Sequence, residues 1–415
     1  MCSMSKTSLE DQLRIQSLQS LAHTGQETML RPISIEPGRV TSERIREVQI
    51  IDTVSETDEP LLENATNKAF YGRIKTQGTV LSGSHNCSLY VDRESKAPSV
   101  GSNSTGILEV YSIDSQVIGS NNTGHVTVEN VVSEKAVSIG YNAKHVTSQN
   151  NVSLKELSIG TKAEGDILSK GDVSLGTLSI GRRSQGSISV ENSKAERFFL
   201  IGEEAHGDIY SVRNRSDRGM MIGLGAIGDV TSRDDMARGY IHVATGSKGN
   251  VSVEDAYAGQ ELLIGNKSSG DVKATDNISH GNLEIGDSAN TVIGNKNISN
   301  KQLILGYHAN NVIGIGNSSK HNSFLGLESN TVEVQRNTSE KDMYIGDHVN
   351  GRVLSEHNKA KKKMSIGYNA SRIESRDNYA GSELNIGLES TGTIRTLKDS
   401  AGELLSIGQF QMYLN

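Results

Sequence analysis

The sequence predicts an all-β protein: a parallel β-solenoid of about 15 coils of 20–21 residues, with a short, partly helical N-terminal segment. Three observations predict it. One short phrase returns at a fixed period along most of the chain. Within each return, apolar and polar residues alternate with period two, as they do in strands. The chain is also poor in apolar bulk, with 34% hydrophobic residues, 4% aromatics, no Trp, 43 Gly and 4 Pro, which suits a long narrow core better than a thick one.

The period is read from the Gly that follows an Ile, Leu or Val in phrases such as "SIGYNAK" at 138–144 and "SIGYNAS" at 365–371. This mark recurs fifteen times from Gly119 to Gly408, with Ala244 standing in once; nine intervals are 21 residues and five are 20. Ile, Val and Leu return too regularly for a disordered chain. A unit of this length is too short for a propeller blade and matches one turn of a β-solenoid.

Each unit justifies its own strands. Two apolar residues flank a Ser or its equivalent before the mark, as Val137 and Ile139 do around Ser138. A small residue follows three places after the mark, as at Ala143, and then a Val or Ile, as at Val146. From that Val or Ile to the next mark is always 14 residues, so the length variation lies in the corner between mark and Val. The nine long corners carry Gly five places after the mark, at Gly165, Gly207, Gly249 and their equivalents, and the five short ones carry none. The expectation is that this Gly supplies a positive φ.

Two polar columns complete the unit. Five places after the Val or Ile stands Asn or Asp in eleven of fourteen units, from Asn151 and Asp172 to Asn378 and Asp399. Two places later the residue is always Ser or Ala. Stacked coils place equivalent residues one above another, so the first column predicts an amide ladder and the second a tight corner. Six "NxS" or "NxT" tripeptides, such as "NVS" at 151–153, arise from these two columns and are not expected to be glycosylated.

The organisation follows. Residues 1–70 break the repeat and read as an N-terminal cap or tail, with Leu9, Leu13, Leu18 and Leu21 near helical spacing. Residues 71–118 form irregular, shorter first coils marked by Gly83 and Gly101. Residues 119–408 are the regular solenoid, and 409–415 a C-terminal strand or cap. There Phe410, Met412 and Leu414 alternate as one more strand would, which makes them a possible contact with a second copy through an open end.

Catalytic and cofactor chemistry is hard to find. The eleven His are scattered without metal-ligand spacing, and no cofactor or metal site is read. The phrase "GLGAIG" at 223–228 matches a dinucleotide fingerprint, but it falls on a mark and a corner Gly rather than at a strand-to-helix turn. Asp234, Asp255 and Asp276 share one column in consecutive units, and Asp377 returns to it. They are the best acidic patch: a solvated turn column, a ligand or cation site, or the acids of a carbohydrate-active enzyme. Tyr141, Tyr307 and Tyr368 each follow a mark but not in adjacent units. The run Lys361-Lys362-Lys363 is the densest basic cluster, read as a solvated turn or an anion contact.

The phrases "SIGYNA" and "LGYHA" resemble the head repeats of YadA-like trimeric autotransporter adhesins. That resemblance implies a parallel β-roll and an adhesive role toward host matrix components; the period here is longer than that family's.

The function expected is a non-enzymatic β-solenoid rod whose repetitive faces bind a protein or glycan, as an adhesin-like protein or a bacterial effector. The alternatives are a scaffold assembling end to end and a carbohydrate-active β-helix enzyme. The net charge of −7, with both signs interspersed, argues against a nucleic-acid partner. No apolar run reaches membrane-spanning length. The start "MCSMSKTSLEDQL" has no apolar core of a signal peptide, and two cysteines, Cys2 and Cys87, make no disulfide framework. The chain is expected in the cytoplasm where it is made, or exported without an ordinary signal peptide.

Overall fold

The computed structural model describes residues 47–92 and 94–408. The chain divides into two compact units, Met1–Leu200 and Ile201–Asn415. Both are parallel β-solenoids, and no helix occurs among the described residues. The helical spacing of Leu9 to Leu21 and the alternation of Phe410, Met412 and Leu414 lie outside the described residues.

One coil of the second unit shows how the sequence makes the fold. Its first face is Thr291–Asn295, its second Ile298–Ser299 and its third Leu303–Leu305. Val292, Leu303 and Leu305 are fully buried, while Ile293 and Ile304 between them are half-exposed, as period-two alternation requires. The bends come from left-handed residues: Lys296 (φ 52°) after the first face and His308 (φ 52°) after the mark. These two places recur in nearly every coil and favour Asn, Asp or Gly, which take positive φ at little cost.

Neighbouring coils pair in parallel and in strict register. Along the first face of the second unit Val292 pairs with Val312, then Val332, Val353, Ile373 and Ile394. Along the third, Leu305 pairs with Leu325, Ile345, Ile366, Ile386 and Ile407. In the first unit Val126, Val146, Ile167 and Ile188 form the equivalent column. A slip of one residue would turn every one of these side chains outward, so the apolar alternation itself holds the register.

The coils reach back further than the sequence boundary at residue 71. Glu47–Val54 pairs in parallel with Lys68–Lys75 over eight positions, inside the stretch read as a cap. These first coils have first-face strands of seven or eight residues, against four or five in later coils. Phe70, Ile74, Leu89 and Leu108 fill their core.

The glycine columns have two different causes. The mark glycines do have positive φ, as at Gly286 (φ 70°), and a Cβ there would also strike the Val292 side chain. Ala244 adopts the same conformation (φ 57°) at one mark, a strain of about 1–2 kcal/mol. Among the corner glycines Gly228 has the expected positive φ (140°), but seven others differ from the expectation. Gly124, Gly165, Gly186, Gly249, Gly270, Gly351 and Gly392 lack positive φ. Their constraint is close approach: a Cβ on Gly249 would fall on the Gly228 carbonyl, and one on Gly392 on the Ser371 carbonyl. The extra corner residue pushes the backbone against the coil before it, and only hydrogen fits.

Candidate functional site

The polar columns are the best-defined chemistry in the protein. In the second unit the buried amides run Asn277, Asn297, Asn317, Asn337, Asn358 and Asn378 to Asp399. Asn317 is typical. Its Oδ1 accepts from the backbone N–H of Asn297 at 3.0 Å and from the Asn297 amide at 2.9 Å. Its own amide donates to Asn337 Oδ1 and to the Gly294 carbonyl, both at 2.9 Å. Each side chain thus satisfies backbone groups of earlier coils that bend inward without water. The six glycosylation-like tripeptides of these columns sit here with their Asn buried, closed to any modifying enzyme in the folded state.

The ladder is interrupted, and its ends are acidic. In the first unit Asn151 hands its N–H and amide to Asp172, and the next residue in the column is Ser193. In the second unit Asn214 hands its N–H to Asp235, and the next is Ala256. Burial pushes both carboxyl groups up to about 6, against hydrogen bonds that favour the carboxylate.

Asp234, Asp255 and Asp276 occupy the exposed place just before this ladder, in the left-handed bend (φ 55°, 54° and 55°). Lys296, Arg336, His357 and Lys398 take the same bend in later coils. The place therefore selects for a tolerated backbone conformation, and carboxylates are one way to fill it. Asp255 is raised by desolvation and then by Asp234, Glu254 and Asp276 beside it. Across this patch Arg233 is paired with Glu254, its Nε at 2.9 Å from the carboxylate. Among the described residues no three His, Cys, Asp or Glu side chains converge so as to hold a metal ion.

The other motifs resolve similarly. The "GLGAIG" stretch follows a strand, Gly219–Ile222, but turns at Gly223 (φ 68°) and Gly225 (φ 64°) into the next coil instead of opening a helix. Tyr141 lies beside Lys162, whose ammonium is 5.4 Å from the ring centre. Tyr307 donates to Glu328 at 3.1 Å, and Glu328 also meets His308 Nε2 at 2.8 Å, while Asp287 lies 3.7 Å from His308 Nδ1. Both ring nitrogens of His308 are engaged, so this group is a clasp between three coils rather than a general base. In the Lys361–Lys363 run, Lys361 pairs with Glu340 at 3.1 Å and Lys363 with Glu383 at 2.9 Å.

Two surface features were not read from the sequence. Tyr71, Tyr90 and Tyr111 stack ring on ring in the first unit, with centroids 4.6 and 4.5 Å apart. Glu109 holds the middle one, accepting from the Tyr90 hydroxyl at 3.0 Å and from Ser88 at 2.7 Å. Their spacing of 19 and 21 residues in irregular coils hides them from a period search. In the second unit an open trough of about 540 Å³ crosses neighbouring coils between Lys301, His321 and Lys341 on one side and Asn282, Asn322 and Asp342 on the other. It lies on outward columns, which no apolar pattern marks.

Comparison with protein-family models, with curated proteins and with solved structures finds no significant match to this chain.

Proposed function

We propose that this protein is a non-enzymatic solenoid that presents repetitive faces to a macromolecular partner, in an adhesin-like or effector role. The observation that carries this reading is the pairing of a backbone ladder with a buried amide ladder. Together they hold outward side chains at fixed one-coil intervals, about 4.8 Å apart. Such a lattice suits an extended partner with its own repeat. It offers little to a small substrate, which needs a concave site with convergent polar groups. The "SIGYNA" resemblance adds a preference for adhesion.

Glycan and protein arrays probed with the full chain test the reading. Selective retention of an extended polymer or fibrous protein, without turnover, is the expected result. Blank arrays would overturn it. So would cleavage of a glycan that is abolished by combining Asp234→Ala, Asp255→Ala and Asp276→Ala.

One observation favours a second reading, assembly through an end. In the last described coil the inward pair Leu405 and Ile407 is 42% and 45% exposed, where the equivalent Leu384 and Ile386 are fully buried. Light scattering against concentration separates the readings. Growth in mass that Leu405→Ser with Ile407→Ser abolishes supports end contact, and a constant mass refutes it.

A further inference from the structure

We propose that Lys301, Lys320, His321, Lys341 and Lys362 form a binding strip for a linear anionic polysaccharide. The proposal rests on the reading of the chain as a binding solenoid and names the partner and the face.

Four of these residues stack directly, one per coil. The N–H of His321 donates to the Lys301 carbonyl at 3.1 Å, that of Lys341 to His321 at 3.3 Å, and that of Lys362 to Lys341 at 3.2 Å. Their side chains therefore repeat at about 4.8 Å. Lys320 precedes His321 and widens the strip. Several neighbouring bases are neutralised between coils: Lys361 with Glu340, Lys363 with Glu383, Arg352 with Glu374 at 2.7 Å. Among the described residues no carboxylate lies within ion-pair distance of Lys301, Lys320, Lys341 or Lys362. These residues lie in the bend between the second and third faces, and like charges held one coil apart there repel one another. Lys341 and Lys362 stand in consecutive coils with Lys301 beyond His321, and an anion laid along them would relieve that repulsion.

The trough beside the strip is rich in donors. Asn282 Oδ1 accepts from the Gln302 N–H at 3.5 Å and Asn322 Oδ1 from the Asp342 N–H at 3.4 Å. Each amide is thus oriented with its oxygen along the stack, and neither amino group has a partner among the described residues. Asp342 is the one carboxylate in the trough, and its Oδ1 accepts from the Lys363 N–H at 3.1 Å. Ammonium groups in a row, flanked by amide donors, match a chain of sugars that carries both acidic groups and hydroxyls.

A single-stranded nucleic acid fits less well. Such strands are held by stacking bases on aromatic faces. The rings nearest the strip, Phe324 and Tyr344, stack on one another with centroids 5.1 Å apart and planes 7° apart. The faces they share are closed to bases.

The test titrates the full chain with polygalacturonate and dextran sulfate at low salt, against neutral dextran and oligodeoxythymidylate. Lys301→Gln, Lys341→Gln and Lys362→Gln are combined in one variant. Lys248→Gln, Lys267→Gln and Lys273→Gln give a control of equal charge in other coils. The expected result is binding of an anionic polysaccharide but not neutral dextran, weakened at least tenfold in the first variant and less than twofold in the second. A shallower salt dependence should accompany that loss. Equal loss in both variants overturns the proposal in favour of general charge attraction. Tighter binding of the oligonucleotide through the same lysines overturns it in favour of nucleic acid. Salt-sensitive self-association that the first variant alone abolishes overturns it in favour of a second copy. If the arrays retain a partner that the strip variant still binds, the proposal fails while the binding function stands; blank arrays remove both.

Discussion

Replacing Asp172 with Asn should leave the protein as stable or more stable at pH 7, and should remove a pH dependence that the parent has. Asp172 is fully buried, and its carboxyl is raised from 3.8 to about 6 by burial. A folded value above the unfolded one means that folding favours the protonated acid. Below about pH 4 the acid is protonated in both states and costs nothing. Between about 4 and 6 the unfolded chain ionises first, so stability falls as pH rises, and above 6 the full penalty persists. The interval of about two units is worth about 3 kcal/mol. Asn keeps the Oδ1 that accepts the Asn151 N–H and amide at 2.9 and 3.0 Å. Its new amide would reach the carbonyl of Ser148, the equivalent of the Val128 carbonyl that Asn151 uses at 3.0 Å. Denaturant unfolding from pH 4 to pH 8, parent against Asp172→Asn, is the assay. The parent should lose about 3 kcal/mol relative to the variant across that span. A difference that does not change with pH would show that Asp172 carries no burial penalty on ionisation. Asp172→Ala serves as contrast: it strands the Asn151 donors and the Ser169 hydroxyl, which donates at 2.6 Å, and should destabilise by about 2–4 kcal/mol at pH 4, a deficit that shrinks above pH 6 as the parent takes on its own ionisation penalty.

Three other outcomes are expected. Asn317→Asp should destabilise at pH 7 and recover toward pH 4 in the same unfolding assay, because an ionised carboxylate cannot donate to Asn337 Oδ1 or the Gly294 carbonyl. Gly249→Ala should cost more than Gly246→Ala in melting experiments. The first places a methyl group on the Gly228 carbonyl, whereas the second meets nothing within 4 Å and carries only its left-handed φ of 68°, about 1–2 kcal/mol. Peptide mass mapping after passage through a glycosylating secretory system should find Asn151, Asn277, Asn297, Asn317 and Asn337 unmodified in folded protein, since all are buried in the ladder.

Most of the architecture was legible because a solenoid writes its contacts into one period. Val137, Ile139, Ala143 and Val146 were assigned inward from spacing alone, and each is buried. The Asn column was assigned a ladder because stacked equivalents must meet, and the amide bonds follow it. What escaped were contacts that a single repeat does not contain. The corner Gly looked like a φ requirement, but Gly249 is constrained by the carbonyl of the preceding coil, a distance that composition does not record. Residues 47–54 carry no mark, so their pairing with Lys68–Lys75 was invisible to a search for marks. The acidic trio drew attention because carboxylates suggest chemistry, yet Lys296 and Arg336 fill the same bend. Lys301, His321, Lys341 and Lys362 stand 20 or 21 residues apart in plain view. An outward column has no apolar constraint to make it conspicuous, and only the adjacency of the coils gives it meaning.

The ladder's polarity explains why its column holds Asp in some coils and Asn in others. Each amide donates once back to a backbone carbonyl and once onward to the side chain of the following coil: Asn297 to Asn317, Asn317 to Asn337, Asn358 to Asn378. An amide that accepts from the coil before therefore needs an acceptor in the coil after. Where the next coil supplies Ser193 or Ala256, that acceptor is a hydroxyl or is missing. Opposite Ala256 a terminal Asn would lose its onward side-chain partner, whereas opposite Ser193 it keeps a hydroxyl; Asp, which only accepts, demands neither. Asp172 precedes Ser193, Asp235 precedes Ala256, and Asp399 receives Asn378 in the last described coil. Asp172 and Asp235 stand where a run of amides stops. Asp172 and Asp235 keep this role although burial raises their carboxyl groups to about 6. The position of an acid in that column thus reads out where the ladder ends. Moving one inward, as in Asn317→Asp, should break the chain of donors at that coil and leave the coils before it intact.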